Sequence, residues 1–467
     1  MSFRPFSLLL GLLAGLAVPA SAANDDLAAR VDAFIGAEMA RQKIPGVAVA
    51  IVQGREVRLA KGYGLANVEH QVPVTVDTIF QSGSLGKQFT AALAMLLIED
   101  GKLALTDPLA KYLPDAPAAW SAITVRHLLT HTSGIPDYDG PGFDYERNYT
   151  EAEITRLSLA GTLIFPPGAR WAYSNTGYTL LGFIEQKAAG RSYGDMLHER
   201  IFGPTGMKTA RIINEADIVP HRAAGYRLVK GELKNQKWVS AFLNTTADGS
   251  LYFSLNDLIA WDQAWRRRAL LKPASWDLMV TPVRLRSGKN YPYGFGIFLD
   301  ENRGQKIERH SGSWQGFKTY RVRYLGGDFS VLILANLAQA NPETLGEGVA
   351  KLVNPEFATP AVPPPPKDEP TVARRLERLL TEARDGKLLP TELAWVRGGL
   401  TATTAKRLAD ALTGLTLPGT NKLTERQEIG DDVIYSFELV ASGKTLLVQL
   451  GISSDDKVST FSIAPKP

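Results

Sequence analysis

The sequence predicts an α/β (α+β) fold. One antiparallel sheet is built from both ends of a large first domain, with a helical region beside it and a small α+β module at the C-terminus. Strand-like runs lie near the start, VAVAIV at 47–52 and VRLAKGYGLANV at 57–68. A second strand-rich stretch covers 293–337, and residues 80–205 between them are mostly helical in pattern. Strands at both ends with helices between them imply one sheet closed by both chain ends.

The first residues read MSFRPFSLLLGLLAGLAVPASAA. Arg4 supplies a positive start, Phe6–Val18 is apolar, and Ala20-Ser21-Ala22 is a small-residue cleavage site. This predicts a signal peptide over 1–22 and a periplasmic or secreted protein. No later stretch has the length to cross a bilayer. Leu27, Val31, Phe34, Ile35 and Met39 recur at helical spacing, and Pro45-Gly46 stops that helix. Gln53-Gly54-Arg55-Glu56 forms the turn of a hairpin. Downstream, GFGIFL, KIERH, TYRVRYL and FSVLILANL are separated by glycine turns, completing a domain over 23–357. Residues 358–370 hold four consecutive prolines, which form an extended linker. In the module over 371–467, Val372, Leu376, Leu379, Leu380 and Ala383 mark a helix ended by Gly386. A second helical pattern covers 402–413, and three alternating runs follow, VIYSFELV, TLLVQLGI and VSTFSIA.

Composition narrows the function. The chain has 467 residues, a net charge of +4, no cysteine and six histidines. Without a basic block, nucleic acid is not expected as a partner. Without cysteine or HExxH spacing, neither a disulfide nor a zinc site is expected, and no cofactor is implied. The expected partner is a small-molecule or peptide substrate. The oligomeric state is not legible.

Three short motifs carry the chemistry. The first is Ser84-Leu85-Gly86-Lys87. On a helix, positions i and i+3 share a face, so the lysine amine can reach the serine hydroxyl. A serine needs such a base to act as a nucleophile. SxxK alone says little, because it recurs at Ser454–Lys457 between alternating runs, where it reads as a solvated turn. The first copy instead leads into the apolar helix QFTAALAMLLIED, whose N-terminal end favours a developing oxyanion. The second motif is Tyr173-Ser174-Asn175. A tyrosine there can relay a proton, and the asparagine can hold a substrate amide or the lysine. Taken alone, it reads as a half-buried aromatic and the cap of a helix starting near Thr176. The third is His310-Ser311-Gly312, at the end of the KIERH strand. A substrate backbone can lie along such an edge, and the Ser313 amide with that of Ser84 can form an oxyanion hole. Alone, it is also a polar strand end in a turn. Gly190-Arg191-Ser192-Tyr193-Gly194 fits the GxSxG elbow but follows a helical rather than a strand pattern. Gly190 is therefore a helix C-cap, and Ser192 with Asp195 an N-cap.

In the order SxxK, YxN, HxG, these motifs resemble the penicillin-recognising serine hydrolases, which include serine β-lactamases, penicillin-binding proteins, esterases and D-peptidases. PGVAVAIV, FQSGSLGKQFTA, ITVRHLLTHTSGI, FPPGARWAYSNTGYTLLG, YGFGI, ERHSGSWQGF and VLILAN extend the resemblance over roughly 25–355. The look is that of the class C β-lactamase, DD-carboxypeptidase and esterase branch. The resemblance implies Ser84 as nucleophile, Lys87 and Tyr173 as proton carriers, and an acyl-enzyme formed from an ester or amide. It places Asn175, His310, Ser311, Gly312 and Ser313 around the substrate. Tyr138, Trp314 and Phe317 are candidates for the pocket wall. β-Lactamases usually carry KTG at the third motif. His310 in the lysine position points toward esterase or D-peptidase relatives. A true β-lactamase and a non-catalytic ligand or peptidoglycan sensor are the alternatives.

Overall fold

The computed structural model describes residues 20–140, 142–302, 304–358, 369–393 and 402–465. The expected signal segment lies outside them up to residue 19, as does most of the proline-rich linker. The first helix, Ala20–Gln42, begins within the expected cleavage site. Among the described residues no helix is long and apolar enough to cross a membrane.

The expected fold class is borne out. Gly46–Gln53 pairs antiparallel with Glu56–Asn67 on one side and with Phe329–Ala335 on the other. The seven-stranded sheet continues through Phe317–Tyr324 and Gln305–Trp314 to Phe298–Asn302. Gly46–Gln53 is apolar almost throughout because both of its faces are covered. Ala48, Ala50 and Val52 enter the core shared with the helical region. Val47, Val49 and Ile51 enter a second core with Leu27, Val31 and Ile35 of the first helix and Leu345 and Val349 of Pro342–Val353.

Two strand readings need correction. GFGIFL is not a strand throughout, since strand pairing starts only at Phe298. Its glycines serve close approach instead. A Cβ on Gly294 would lie 2.1 Å from the Met279 carbonyl oxygen, and one on Gly296 2.7 Å from that of Lys87. KIERH does not end at the histidine. The strand runs on through Trp314, so His310 is an interior residue of it.

Asp262, on Leu255–Arg266, ties this helix to the sheet. It is fully buried and accepts hydrogen bonds from Arg321 Nε at 2.9 Å, Ser330 Oγ at 2.9 Å and Arg266 Nε at 2.8 Å. Burial pushes its carboxyl up, but the charges of Arg321 and Arg266 hold it below the usual carboxylate range.

Glu185, on Asn175–Ala189, lacks such partners. It is fully buried, and neither carboxylate oxygen has a hydrogen-bond partner. Burial pushes its pKa well up, so the folded protein holds it protonated. The folded state then binds a proton that the unfolded chain releases above its ordinary range. Glu185 therefore costs stability progressively as pH rises above that range. Glu185→Gln is expected to raise stability at pH 8 by on the order of 1–3 kcal/mol, with the gain vanishing toward pH 4. Denaturant melts at the two pH values check this; a gain independent of pH would contradict it.

The C-terminal module has its own core. Leu376, Leu379 and Leu380 of Pro370–Arg384 and Leu412 of Ala402–Leu412 pack on Phe437, Leu439, Val448 and Leu450. Its sheet has four strands in sequence order, one more than the alternating runs indicate. The extra one, Thr420–Ile429, is a mostly exposed edge strand with polar residues on both faces, and so shows no apolar alternation. The second SxxK lies in the turn before the last strand, with Asp456 at φ 56°. That turn also reaches Arg170, whose Nη2 donates to Asp455 Oδ1 at 2.8 Å.

Candidate active site

Gly83–Gly86 is a 3₁₀ turn that leads into the helix Lys87–Glu99. Residues i and i+3 eclipse one another in such a turn, which sets the Lys87 side chain beside Ser84. Lys87 is fully buried. Its Nζ lies 3.2 Å from Ser84 Oγ, 2.9 Å from Asn175 Oδ1 and 2.5 Å from the Asp248 carbonyl oxygen. The last two neighbours can only accept. A protonated Lys87 spends all its hydrogens here, and a neutral one turns its lone pair to Ser84.

Asn175 is the first residue of Asn175–Ala189. The cap is Ser174, which accepts from the Gly177 amide, so Asn175 is free to bond Lys87 rather than end the helix. Tyr173 precedes the cap in irregular chain. Its ring centre is 4.9 Å from Lys87 Nζ and 4.2 Å from the His131 ring. The GxSxG serine is elsewhere. Gly190 caps one helix in the left-handed conformation and Ser192 caps the next through the Asp195 amide, as expected.

His310 belongs to a buried chain of hydrogen bonds. The Ser174 amide donates to His131 Nδ1 at 3.1 Å, which leaves His131 its proton on Nε2. That nitrogen is 3.2 Å from Tyr293 Oη, and Tyr293 Oη is 3.4 Å from His310 Nε2. His310 then holds its proton on Nδ1, 2.7 Å from the Ser311 carbonyl oxygen. The network fixes the tautomers. Burial, reinforced by the Lys87 charge, lowers the His310 pKa to about 3 against an opposing bond to Ser311. His310 is therefore neutral across the physiological range. His131 sits at φ 56°, a conformation that non-glycine residues adopt rarely and mostly where surroundings enforce it.

Glycine closes the gap between the strand and the serine turn. A Cβ on Gly83 (φ 51°) would lie 2.3 Å from the Ser313 amide nitrogen. A Cβ on Gly312 would lie 2.0 Å from the Ser82 carbonyl oxygen, and one on Gly249 2.8 Å from the Ser84 amide nitrogen. Neighbouring strand pairing stops at Phe298 opposite Arg309, so Phe298–Asn302 leaves His310–Trp314 unpaired on that edge.

Ser84 and Ser313 stand between two cavities. The larger, of about 350 Å³, is walled by Trp171, Tyr173, Phe298, His310 and Lys318. The narrower, of about 50 Å³, is walled by Tyr138, Tyr145, Asn175, Asp248 and Trp314. Tyr138 and Trp314 line the narrower cavity. Phe317 does not. It is buried edge-on against Phe80 in the core, because its neighbour on the strand, Lys318, takes the cavity-facing position.

Sequence reasoning missed Asp248, His131, Tyr293 and Lys318. His131 stands in the quoted THTSG run and could have been singled out there. Nothing flags Asp248, whose contact with Lys87 spans 161 residues. Burial holds the Lys318 ammonium below its usual range, opposed by Glu343.

Comparison with known proteins places this geometry. Residues 31–354 match the family described as Beta-lactamase. Penicillin-binding protein 4* of Bacillus subtilis is 32% identical over 62% of this chain and 67% of its own. A D-aminopeptidase of Gluconobacter oxydans is 30% identical over 67% of this chain, but the match spans only 60% of the D-aminopeptidase. Among solved structures, the octameric penicillin-binding protein homologue from Pyrococcus abyssi covers 94% of this chain and 98% of its own, with 26% identity and a TM-score of 0.63. D-amino acid amidase from Ochrobactrum anthropi SV3 covers 71% of this chain and 98% of its own, with 25% identity and a TM-score of 0.61. With its seven-stranded sheet built from strands of 46–73 and 298–335, and 31–354 matched, this chain belongs to the β-lactamase family, within the serine-hydrolase-type β-lactamase/transpeptidase-like superfamily.

Proposed function

We propose that the protein is an exported serine hydrolase that forms an acyl-enzyme on Ser84 from ester or D-configured amide substrates. One observation carries this reading: the Lys87 amine is held on Ser84 Oγ by two further neighbours that can only accept hydrogen bonds. Lys87 takes the Ser84 proton as Oγ bonds to the substrate carbonyl carbon, and the carbonyl oxygen becomes an oxyanion. The Ser84 and Ser313 amides stabilise that oxyanion. As the bond to the leaving group breaks, Tyr173 relays the proton to it. Water then attacks the acyl carbon by the reverse route and frees Ser84. The Tyr173-lined cavity takes the leaving group, and the Asn175-lined cavity takes the acyl group. The D-aminopeptidase and D-amino acid amidase relatives support D-aminoacyl substrates. The N-terminal apolar segment supports export to the periplasm or medium.

A neutral His310 argues against a dedicated β-lactamase, since it offers no charge to a β-lactam carboxylate. Turnover of p-nitrophenyl acetate, a D-alanyl peptide and nitrocefin, measured side by side, tests the reading. Intact-mass analysis with a fluorophosphonate accompanies it. Ester or D-peptide turnover above that of nitrocefin, and an adduct on the Ser84 peptide, are expected. Dominant nitrocefin hydrolysis overturns the substrate assignment, and absence of any adduct or turnover overturns the hydrolase.

A further inference from the structure

We infer that Arg170 is a positioning residue, through which two turns of the C-terminal sheet set the place of Tyr173 beside Ser84. The inference rests on the reading above, in which Tyr173 hands a proton to the leaving group.

Tyr173 sits in chain that needs an outside support. Residues 169–174 lie in no helix or strand. On one side, the Ala172 amide donates to the His131 carbonyl oxygen at 2.9 Å, and the Tyr173 ring lies against the His131 ring. The other side faces a cavity of about 360 Å³, with Arg170, Trp171 and Tyr173 on one wall and Gln427, Asp432 and Gln449 on the other. Groups that line a void lack packing partners there, so the contacts that cross it do the holding.

The C-terminal sheet crosses it at two points. Arg170 Nη2 donates to Asp455 Oδ1 at 2.8 Å, and Arg170 Nη1 lies 3.6 Å from Asp432 Oδ1. The Arg170 side chain is mostly buried, and partly buried ion pairs are screened less than exposed ones. Asp455 is itself held. It stands in the second SxxK, Ser454–Lys457, where Ser453 Oγ donates to Asp455 Oδ1 at 2.6 Å and accepts from the Lys457 amide at 3.2 Å. Arg375 Nη2, on Pro370–Arg384, donates to the Asp456 carbonyl oxygen at 2.8 Å. The second crossing runs through rings. Gly430, between Thr420–Ile429 and Asp432–Ala441, has φ 60°, and a Cβ there would lie 3.2 Å from Tyr291 Cδ2. Tyr291 stacks on Trp171 with ring centres 4.2 Å apart, and Trp171 meets Tyr173 edge-on at 6.3 Å. The second SxxK is thus no nucleophile site. Its turn anchors the run that carries Tyr173. A misplacement of about 1 Å at a reacting group can cost roughly 10²-fold in rate.

Leaving-group dependence separates positioning of Tyr173 from general damage. p-Nitrophenolate departs as a stable anion, whereas trifluoroethoxide needs a proton. The p-nitrophenyl and trifluoroethyl esters of butyric acid are compared by kcat/KM. Tyr173→Phe is expected to slow the trifluoroethyl ester about tenfold or more beyond its effect on the p-nitrophenyl ester. Arg170→Gln is expected to show the same split, and so is Asp432→Asn/Asp455→Asn, made wholly in the C-terminal sheet. Arg170→Lys keeps the charge and is expected to show a smaller one. In a Tyr173→Phe background, Arg170→Gln is expected to leave the split unchanged, because the group it positions has lost its proton. Thermal melts verify folding, and the double aspartate variant carries the same test where Arg170→Gln does not fold. Equal slowing of both esters by the Arg170 and aspartate variants, or a wider split on adding Arg170→Gln to Tyr173→Phe, overturns the inference and leaves the hydrolase standing. Equal slowing in Tyr173→Phe removes the relay and the inference with it. No turnover of either ester by the wild type removes the hydrolase reading as well.

Discussion

Ser84→Ala is expected to lower kcat/KM by about 10⁴-fold or more on the best ester or amide substrate. The same loss is expected from Lys87→Met, although the serine is intact. Lys87 Nζ is 3.2 Å from Ser84 Oγ, and the other two groups within its reach accept only. No other described side chain is hydrogen-bonded to Lys87 Nζ in a way that could take the proton on its behalf. Methionine keeps the length of the buried stem without the amine. Residues that act as one unit are not additive, so the double variant is expected to be no slower than the worse single one. Steady-state rates with an active-site titration check this. A Lys87→Met enzyme within tenfold of wild type would assign the base elsewhere, with Tyr173 the next candidate. Circular dichroism and thermal melts separate loss of chemistry from loss of fold, since Lys87→Met leaves the Asn175 Oδ1 and Asp248 carbonyl oxygens without their donor.

Gly312→Ala has the second largest expected effect, through a single methyl group. Its Cβ would lie 2.0 Å from the Ser82 carbonyl oxygen, 2.4 Å from Thr319 Oγ1 and 3.0 Å from the Leu85 amide nitrogen. Two of these are backbone atoms of the serine turn, and Thr319 Oγ1 is itself bonded to the Ser82 carbonyl oxygen at 2.7 Å. None can swing aside, so the strand must move away from the turn and carry the Ser313 amide with it. Removing one oxyanion donor from other hydrolases costs roughly 10²–10³-fold in kcat, and a loss of that order is expected here. Overpacking of this kind also costs about 1–3 kcal/mol of stability. The decisive reading is kcat against KM: a pure KM effect would show that Ser313 binds substrate without stabilising the transition state.

His310 shows how far a residue type can be read before its surroundings are known. From sequence, histidine in place of lysine means a less assured charge. In the fold, enclosure and the nearby Lys87 remove the charge altogether, and the proton on Nδ1 is committed to Ser311. The third motif thus shapes the open strand edge rather than supplying a cation. On that side of the serine the cavity-lining cation is Lys318, one strand over.

By itself the sequence determined the order of the strands at both ends, the capped helices and the three motifs. Each depends on neighbours within a few residues: a continuous apolar run for Gly46–Gln53, Ser174 for its own helix, and the spacing from Ser84 to Lys87. It did not reveal Thr420–Ile429, because a polar edge strand carries no apolar period. It misplaced Phe317, because a one-residue choice of face decides between core and cavity. Only the tertiary structure decided that Lys87 meets Asn175 and the Asp248 carbonyl, and that Gly83 and Gly312 bring Ser313 to Ser84. These contacts join segments 88 to more than 200 residues apart. Such contacts arise from packing the sheet against the helices, and no local pattern encodes them.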